Sequence, residues 1–399
     1  MLKNRLKNNY TATIFASCIG YITQAIIVNL FPLLFVRFSS EFGISLAQIS
    51  ILISIGFSTQ LLIDFIGSRY IIKIGYRKSM AISNIFSTLG LISFAVLPYV
   101  MTNKYVAILL SMVISSIGGG FIEVLVSPIV EACPTKNKSG IMSLLHSFYS
   151  WGQVLVILLS TLFFVVVGIE NWRILALIWA IIPFVNFFLF LIVPINTLPE
   201  EENGTKYSSL FKNKIFWVLV IMILCAGASE QAMSQWASAF AEAGLGVEKW
   251  LGDLLGPCMF AACMGFSRLF YAKKSEKINL EKAILISAAI CIASYLIAIL
   301  SPVAIVSLIG CALCGIGCGV LWPGTYSLAV QKQPKGGLPM FGLLAIAGDF
   351  GCLAGPTITG QVSSAFENNI KAGFAVALAF PVLLIIMVIV LFKISKKEK

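Results

Sequence analysis

The chain has 399 residues, of which 59% are hydrophobic and only 11% are charged. Soluble domains contain about 25% charged residues, so this chain has too few polar side chains to cover soluble cores. The composition predicts a membrane protein and argues against a soluble enzyme or binding domain. The formal net charge of +11 fits a nucleic-acid partner, an anionic membrane surface or an orientation signal, and the positions of the basic residues must decide among them.

Apolar runs of membrane-spanning length recur along the whole chain, separated by Lys, Asn, Gly, Pro and Glu. A spanning helix needs about 20 apolar residues. The first run follows a basic N-terminus, as in a signal peptide, but it is span-length and contains Gln24 and Asn29, so we interpret it as a retained helix. The predicted helices are 11–35, 45–71, 79–99, 105–130, 141–167, 172–194, 214–241, 251–272, 282–300, 302–328, 340–362 and 371–392.

The distribution of basic residues predicts the orientation of these helices. With both termini in the cytoplasm, the cytoplasmic connections and termini contain 22 Lys and Arg, whereas the outer connections contain five. Cytoplasmic loops are enriched in Lys and Arg. We therefore predict that both termini are cytoplasmic, interpret the net charge as an orientation signal, and expect no nucleic-acid partner.

The ten cysteines lie almost entirely in apolar runs. Cys311 and Cys314 have C-x-x-C spacing but no flanking metal ligands, so we expect neither a metal site nor a redox role. The sequence also lacks an H-E-x-x-H motif, an acidic pair at metal-binding spacing and a G-x-x-x-x-G-K-[ST] loop. These absences argue against a membrane-embedded enzyme and against ATP-driven transport. We expect no cofactor.

The two halves of the sequence match each other at an offset near 200 residues. Cys18–Ala25 is similar to Cys225–Ala232, 73–83 to 277–287, and 116–120 to 315–319. Matches in the same order indicate an internal repeat. We predict three regions: an N-terminal six-helix bundle (1–195), a cytoplasmic central loop (196–213) and a C-terminal six-helix bundle (214–399).

Twelve helices in two parallel halves resemble the major facilitator superfamily of transporters. The basic connection Arg69–Lys78 falls where that superfamily carries a signature, although Ile72 occupies the position of its acidic residue. The resemblance implies an all-α membrane protein with twelve transmembrane helices in two pseudo-symmetric six-helix bundles. It also implies a substrate site near the midplane, between the halves.

Three segments resemble the fucose permease group of this superfamily. The fourth helix, Gly118–Pro128, is similar to its G-x-G-x-x-E-x-x-x-N-P pattern, with Ser127 in place of Asn. The fifth-helix segment Leu145–Gly152 is similar to the L-H-x-x-x-x-x-G pattern of that group. Glu230 and Trp236 resemble a pair of residues that the group has in its seventh helix. The first-helix aspartate of that group has no acidic counterpart here.

Four carboxylates, Asp64, Glu123, Glu230 and Asp349, lie well inside the predicted helices, where an ionised group costs about 2.5–3.5 kcal/mol and should face a cavity or a partner. Glu123 shares a polar face with Ser116, Gly119 and Ser127. The resemblance implies that Glu123 exchanges a proton with substrate binding; the alternative is a protonated packing residue. We predict proton-coupling roles for Glu123, Glu230, Asp349 and His146. We predict gating roles for Asp64, Arg69 and Arg268.

Polar and aromatic residues on five predicted helices are candidates for substrate binding. On the fifth helix, His146, Tyr149 and Gln153 share one face. His146 suits a proton relay or a substrate contact; the alternative is a structural, hydrogen-bonded histidine. Trp236 either offers a flat apolar face to a sugar ring or is a packing residue. The predicted set is Gln24, Asn29, Glu123, His146, Tyr149, Gln153, Glu230, Gln231, Gln235, Trp236, Trp322 and Tyr326.

The sequence favours secondary active transport by alternating access, as a proton-coupled symporter of a small polar solute such as a sugar. A drug or metabolite exporter, acting as a proton antiporter, is the alternative. Exporters of the superfamily usually have a glycine and proline motif in the fifth helix, and 152–160 lacks the proline, which favours uptake. The expected partners are a small-molecule substrate, protons and membrane lipid. We expect a monomer in the inner or plasma membrane of a bacterial cell.

Overall fold

The computed structural model describes residues 9–135, 138–196, 210–274, 279–334 and 336–397. Within these ranges, twelve helical spans are long and apolar enough to cross a membrane, which confirms the predicted all-α fold class. Numbered by span, the helices are Tyr10–Asn29 with Phe35–Phe42, Leu46–Ile74, Tyr76–Val100, Lys104–Glu131, Lys138–Val167, Trp172–Ile192, Lys214–Ala239, Lys249–Asp253 with Met259–Lys274, Leu280–Leu300, Ala304–Lys332, Gly337–Ala365, and Ile370–Ala377 with Ala379–Lys397.

Irregular turns interrupt spans that the sequence predicts as continuous helices. The first span passes through a 3-10 turn at Pro32–Leu34 and continues to Phe42, beyond the predicted end at 35. The eighth span contains a π turn at Leu254–Cys258, which includes Pro257. Proline has no N–H to donate to the helical ladder, and a π turn absorbs the irregularity without ending the helix.

Asparagine side chains cap the beginnings of five spans. Each side-chain oxygen accepts a hydrogen bond from a backbone N–H two or three residues on, at 2.8–3.3 Å. The first backbone N–H groups of a helix have no partner within the helix, and asparagine is among the best residues for satisfying them. The caps are Asn9, Asn103, Asn213, Asn279 and Asn369.

The described helices form two compact units. The first comprises Met1–Ile44 and Ile55–Glu200, and the second comprises Ser45–Ser54 and Glu201–Lys399. The short segment joins the second unit through contacts such as the hydrogen bond from Gln361 Nε2 to the Ser50 hydroxyl, at 2.7 Å.

Glycines allow helices within each unit to approach closely. In the first unit, an ideal Cβ at Gly118 would lie 2.6 Å from the Ser87 nitrogen and 2.7 Å from the Ser83 carbonyl oxygen, so the third and fourth spans pack backbone to backbone. In the second unit, a Cβ at Gly319 would lie 2.7 Å from the Ser267 Cβ. Small residues of this kind are typical of helix contacts in membranes.

Candidate functional site

A polar cluster around Glu123 lies inside the first unit. The Gln24 amide donates to Glu123 Oε2 at 3.5 Å, which joins the first span to the fourth. Gln24 is buried and Glu123 is half-buried. Gly119 lies one turn before Glu123, and an ideal Cβ there would be 2.6 Å from Gln24 Oε1 and 2.9 Å from Gln60 Nε2. The glycine therefore makes room for two glutamine amides beside the helix that carries Glu123.

Tyr21 links the fourth and fifth spans at the same cluster. Its hydroxyl lies 3.1 Å from the Ser127 hydroxyl and 3.4 Å from His146 Nδ1, where the imidazole tautomer decides which group donates. The ring centroids of Tyr21 and His146 are 5.5 Å apart, and the Tyr149 ring lies edge-on to Tyr21 at 6.4 Å. Tyr21 is buried, whereas His146 is exposed, so this group reaches from the interior of the unit to its surface.

Two further amides from the predicted set contact each other in the first unit. Gln153 Nε2 donates to Asn29 Oδ1 at 3.2 Å, and Asn29 Nδ2 donates to the Ala25 carbonyl at 2.8 Å. The Oε1 atoms of Gln24 and Gln153 are buried and have no hydrogen-bond partner among the residues that the structure describes. A buried acceptor of this kind carries a free-energy cost until it is bonded, so both oxygens are suited to accept from a hydroxyl of a solute.

The second unit contains a charged polar cluster on the seventh and eighth spans. Arg268 Nη2 and Glu230 Oε2 form an ion pair at 3.2 Å, with side chains that are 20% and 8% exposed. The Gln231 amide donates to Glu230 Oε1 at 3.4 Å, and Gln235 Nε2 donates to Gln231 Oε1 at 3.2 Å. The polar row that the sequence predicts on the seventh helix thus forms one hydrogen-bonded chain that ends at Arg268.

The predicted aromatic residues occupy two different environments. Trp236 is fully buried; its Nε1 donates to the Pro356 carbonyl at 2.9 Å, and its ring packs against Gly360. This geometry is that of a packing residue, the second of the two roles considered for Trp236.

Trp322 and Tyr326 of the tenth span are half-buried, and their ring centroids are 6.2 Å apart. The Trp322 ring packs on Gly348, which leaves no space there for a Cβ. Asp349 is the next residue and is also half-buried. Trp322 therefore contacts the residue that directly precedes Asp349, and Trp322 and Asp349 both remain candidates for contact with a solute.

The predicted gating residues Asp64 and Arg268 belong to different units. Arg268 has its ion-pair partner within the second unit, so it belongs with the Glu230 cluster. Asp64 is half-buried in the second span, and the side chain of Arg69 lies outside the described residues. A gating role for Asp64 and Arg69 stays a prediction.

Sequence reasoning missed two residues of the first cluster, Tyr21 and Gln60. Tyr21 lies one turn before Gln24 and therefore on the same helix face, which is a signal that the sequence offered. Gln60 is a buried amide within the apolar second span, and a polar group buried in a membrane helix is expected to have a partner. Both signals were readable, but only the fold shows that they converge near Gly119.

Twelve candidate membrane spans among the described residues, with a polar cluster inside each unit, define a multi-pass membrane protein. The sequence model of the Major Facilitator Superfamily matches residues 13–356, and the chain belongs to this superfamily. Its members are secondary transporters of small molecules, so the protein is a transporter and not an enzyme. The family predicted from the repeat and the basic connection is confirmed. No curated protein sequence matches the chain significantly.

Several solved transporter structures share the fold over nearly the whole chain. A mutant of the E. coli fucose:proton symporter is 16% identical, with a TM-score of 0.63, and the match covers 95% of this chain and 98% of that one. A mutant of the nucleoside transporter NupG is 14% identical, with a TM-score of 0.77 and coverage of 98% and 100%. A bacterial homolog of the human lysosomal transporter Spinster, in an inward-facing and occupied conformation, is 15% identical, with a TM-score of 0.74 and coverage of 98% and 97%. These identities show a shared fold and leave the substrate open.

Proposed function

We propose that the protein is a proton-coupled symporter that takes a small neutral polar solute, such as a sugar, into the cell by alternating access. The observation that carries this proposal is the contact between Gln24 and Glu123 at 3.5 Å, within a cluster of amides and hydroxyls. Amide and hydroxyl groups recognise the hydroxyls of a neutral solute, and the carboxyl group is the group that can gain and lose a proton.

Gln24 can satisfy Glu123 in both protonation states. Its Nε2 donates to the carboxylate, as observed. Its Oε1, which has no partner among the described residues, can accept a hydrogen bond from the protonated carboxyl group, because an amide offers a donor and an acceptor and a protonated acid becomes a donor. A solute hydroxyl oxygen that accepts from Gln24 Nε2 displaces the ionised carboxylate, while Oε1 remains able to accept from the protonated one. Solute binding therefore favours the protonated state of Glu123, and this competition couples the proton to the solute.

Glu123 is the primary proton carrier in this proposal. Glu230 is held in an ion pair with the half-buried Arg268, and protonation of Glu230 would break this pair. We assign Glu230, Gln231 and Gln235 to substrate binding in the second unit. His146, exposed and 3.4 Å from Tyr21, is a second proton-relay group.

The names of two similar structures define the first solutes to test. One is a fucose:proton symporter, which supports a sugar and a proton as the transported pair. The other is a nucleoside transporter, which makes nucleosides the second class. We further propose a monomer in the cell membrane with both termini in the cytoplasm, on the strength of the basic residues in the connections.

Two experiments test this proposal. A thermal-shift screen of purified protein against sugars, nucleosides, amino acids and organic acids identifies the solute, because a ligand that binds the folded state raises the melting temperature. The protein is then reconstituted into liposomes, and uptake of that solute is measured with and without a pH gradient, acidic outside. We expect the gradient to drive accumulation and a protonophore to abolish it. Equal uptake under both conditions contradicts proton symport, and efflux driven by an opposite gradient identifies an exporter.

A further inference from the structure

Three cysteine thiols converge inside the second unit, and the transport proposal does not use them. Cys291 comes from the ninth span, and Cys314 and Cys318 come from the tenth. The Sγ atoms of Cys291 and Cys318 are 3.7 Å apart, those of Cys314 and Cys318 are 3.9 Å apart, and all three lie within 4.8 Å of one another. All three residues are at most 1% exposed.

The sequence and the packing place these thiols together for clear reasons. Cys314 and Cys318 are four residues apart and therefore lie on the same face of the tenth helix. Gly317 lies beside them, and an ideal Cβ there would be 2.5 Å from Cys291 Sγ and from the Ser287 carbonyl oxygen. The ninth helix can approach the tenth at this point because residue 317 has no side chain, and the approach brings Cys291 to the pair.

The spacing of the three sulfurs fits coordination to a common ion. A metal–sulfur bond length of about 2.3 Å places two thiolates of one ion about 3.8–4.0 Å apart, and two of the sulfur pairs are separated by 3.7 and 3.9 Å. No carboxylate or imidazole belongs to this group among the described residues. A ligand set of sulfur alone selects soft ions over magnesium, calcium or manganese.

We propose that Cys291, Cys314 and Cys318 form a binding site for a soft, thiophilic divalent ion held by three thiolates. Binding breaks three S–H bonds, forms three metal–sulfur bonds and releases three protons to solvent, with no change in oxidation state. The bound centre has a charge of −1, because three thiolates outweigh a divalent ion by one charge. Zinc prefers a fourth ligand that these three thiols do not supply. The test ion is therefore cadmium, a soft divalent ion whose longer bonds to sulfur require the thiols to move slightly apart.

The test is a titration of the reduced, purified protein with Cd²⁺ alone, followed by the ultraviolet sulfur-to-cadmium charge-transfer absorption. We expect one tightly held ion per chain after desalting, three protons released in weak buffer, and a higher melting temperature. Cys291→Ala and Cys318→Ala should lose this ion. The matched control is Cys311→Ala, because Cys311 is equally buried on the same tenth helix but lies outside the group, and this variant should bind like the wild type.

X-ray absorption spectroscopy of the cadmium-loaded wild type keeps the test independent of how well the variants fold. Three sulfur neighbours around cadmium support the site. A first shell of oxygen or nitrogen, no retained ion in the reduced protein, or equal binding by Cys291→Ala and wild type overturns it and leaves the thiols as packing groups. Because the readouts are binding and coordination, failure here leaves the transport proposal untouched, and failure of transport leaves this site untouched.

Discussion

Glu123 combines two properties that one substitution can separate: it accepts a hydrogen bond from Gln24, and it can carry a proton. Glu123→Gln keeps a similar shape and polarity but cannot ionise. A pH gradient of one unit is worth about 1.4 kcal/mol per proton, which sustains about tenfold accumulation of a solute that moves with one proton. We expect Glu123→Gln to reduce accumulation in proteoliposomes from this level to equilibration, while counterflow exchange is partly retained. Wild-type pH dependence of uptake in the variant would contradict the assignment.

The ion pair between Glu230 and Arg268 gives a second prediction at the residue scale. The pair is largely buried, and breaking a buried pair by neutralising one member costs up to about 3–5 kcal/mol. We expect Glu230→Gln to lower the melting temperature of the purified protein clearly. The double variant Glu230→Gln with Arg268→Met should recover much of that loss, because no buried charge remains. If Glu230→Gln melts like the wild type, the pair contributes little to stability.

At the scale of elements, two adjacent glycines of the fourth span separate packing from function. A Cβ at Gly118 would meet backbone atoms of Ser83 and Ser87, whereas a Cβ at Gly119 would meet the ends of the Gln24 and Gln60 side chains. Backbone cannot move as freely as a side-chain amide, and overpacking costs about 1–3 kcal/mol. We expect Gly118→Ala to lower the melting temperature. We expect Gly119→Ala to melt near the wild type but transport poorly, because Gln24 is displaced from Glu123.

The two alanine variants serve as controls for each other, because they place the same methyl group one residue apart on one helix. The measurements are the melting temperature in detergent and the initial rate of solute uptake in proteoliposomes. Normal uptake by a folded Gly119→Ala variant would show that the contact between Gln24 and Glu123 is not needed for transport.

The existence of each membrane helix was predictable, because length and hydropathy are local properties of the sequence. Interruptions within the helices were less predictable. Pro32 was visible in the sequence, but the continuation of the first span to Phe42 depends on packing around this proline. The same distinction holds for the site. Gln24, Glu123 and Gln153 stand out as polar residues in apolar runs, because burying them without a partner is costly. The pairing of these residues was not predictable, since Gln24 meets Glu123 across 99 residues of sequence and Tyr21 meets His146 across 125.

At the scale of the whole molecule, the surplus of positive charge has a single explanation in the predicted topology. The basic residues concentrate in the connections predicted to be cytoplasmic, at 22 against five on the other side, while the described spans contain carboxylates such as Glu123 and Glu230 within their helices. In the proposed topology the bulk charge orients the protein, and we propose that the carboxylates within the spans serve coupling. Orientation and coupling are separate uses of charge and can be tested separately.

The orientation can be tested with reporter fusions in a bacterial host. Alkaline phosphatase is active only outside the cytoplasm, and green fluorescent protein fluoresces only when it folds in the cytoplasm. A green fluorescent protein fused after Lys399 should fluoresce, and alkaline phosphatase at the same point should be inactive, because the basic C-terminal segment is retained on the inner side. Fusions after Ser301, between the ninth and tenth spans, should give the opposite result. Active phosphatase after Lys399 would reverse the proposed topology, and with it the direction in which a proton gradient must act on Glu123.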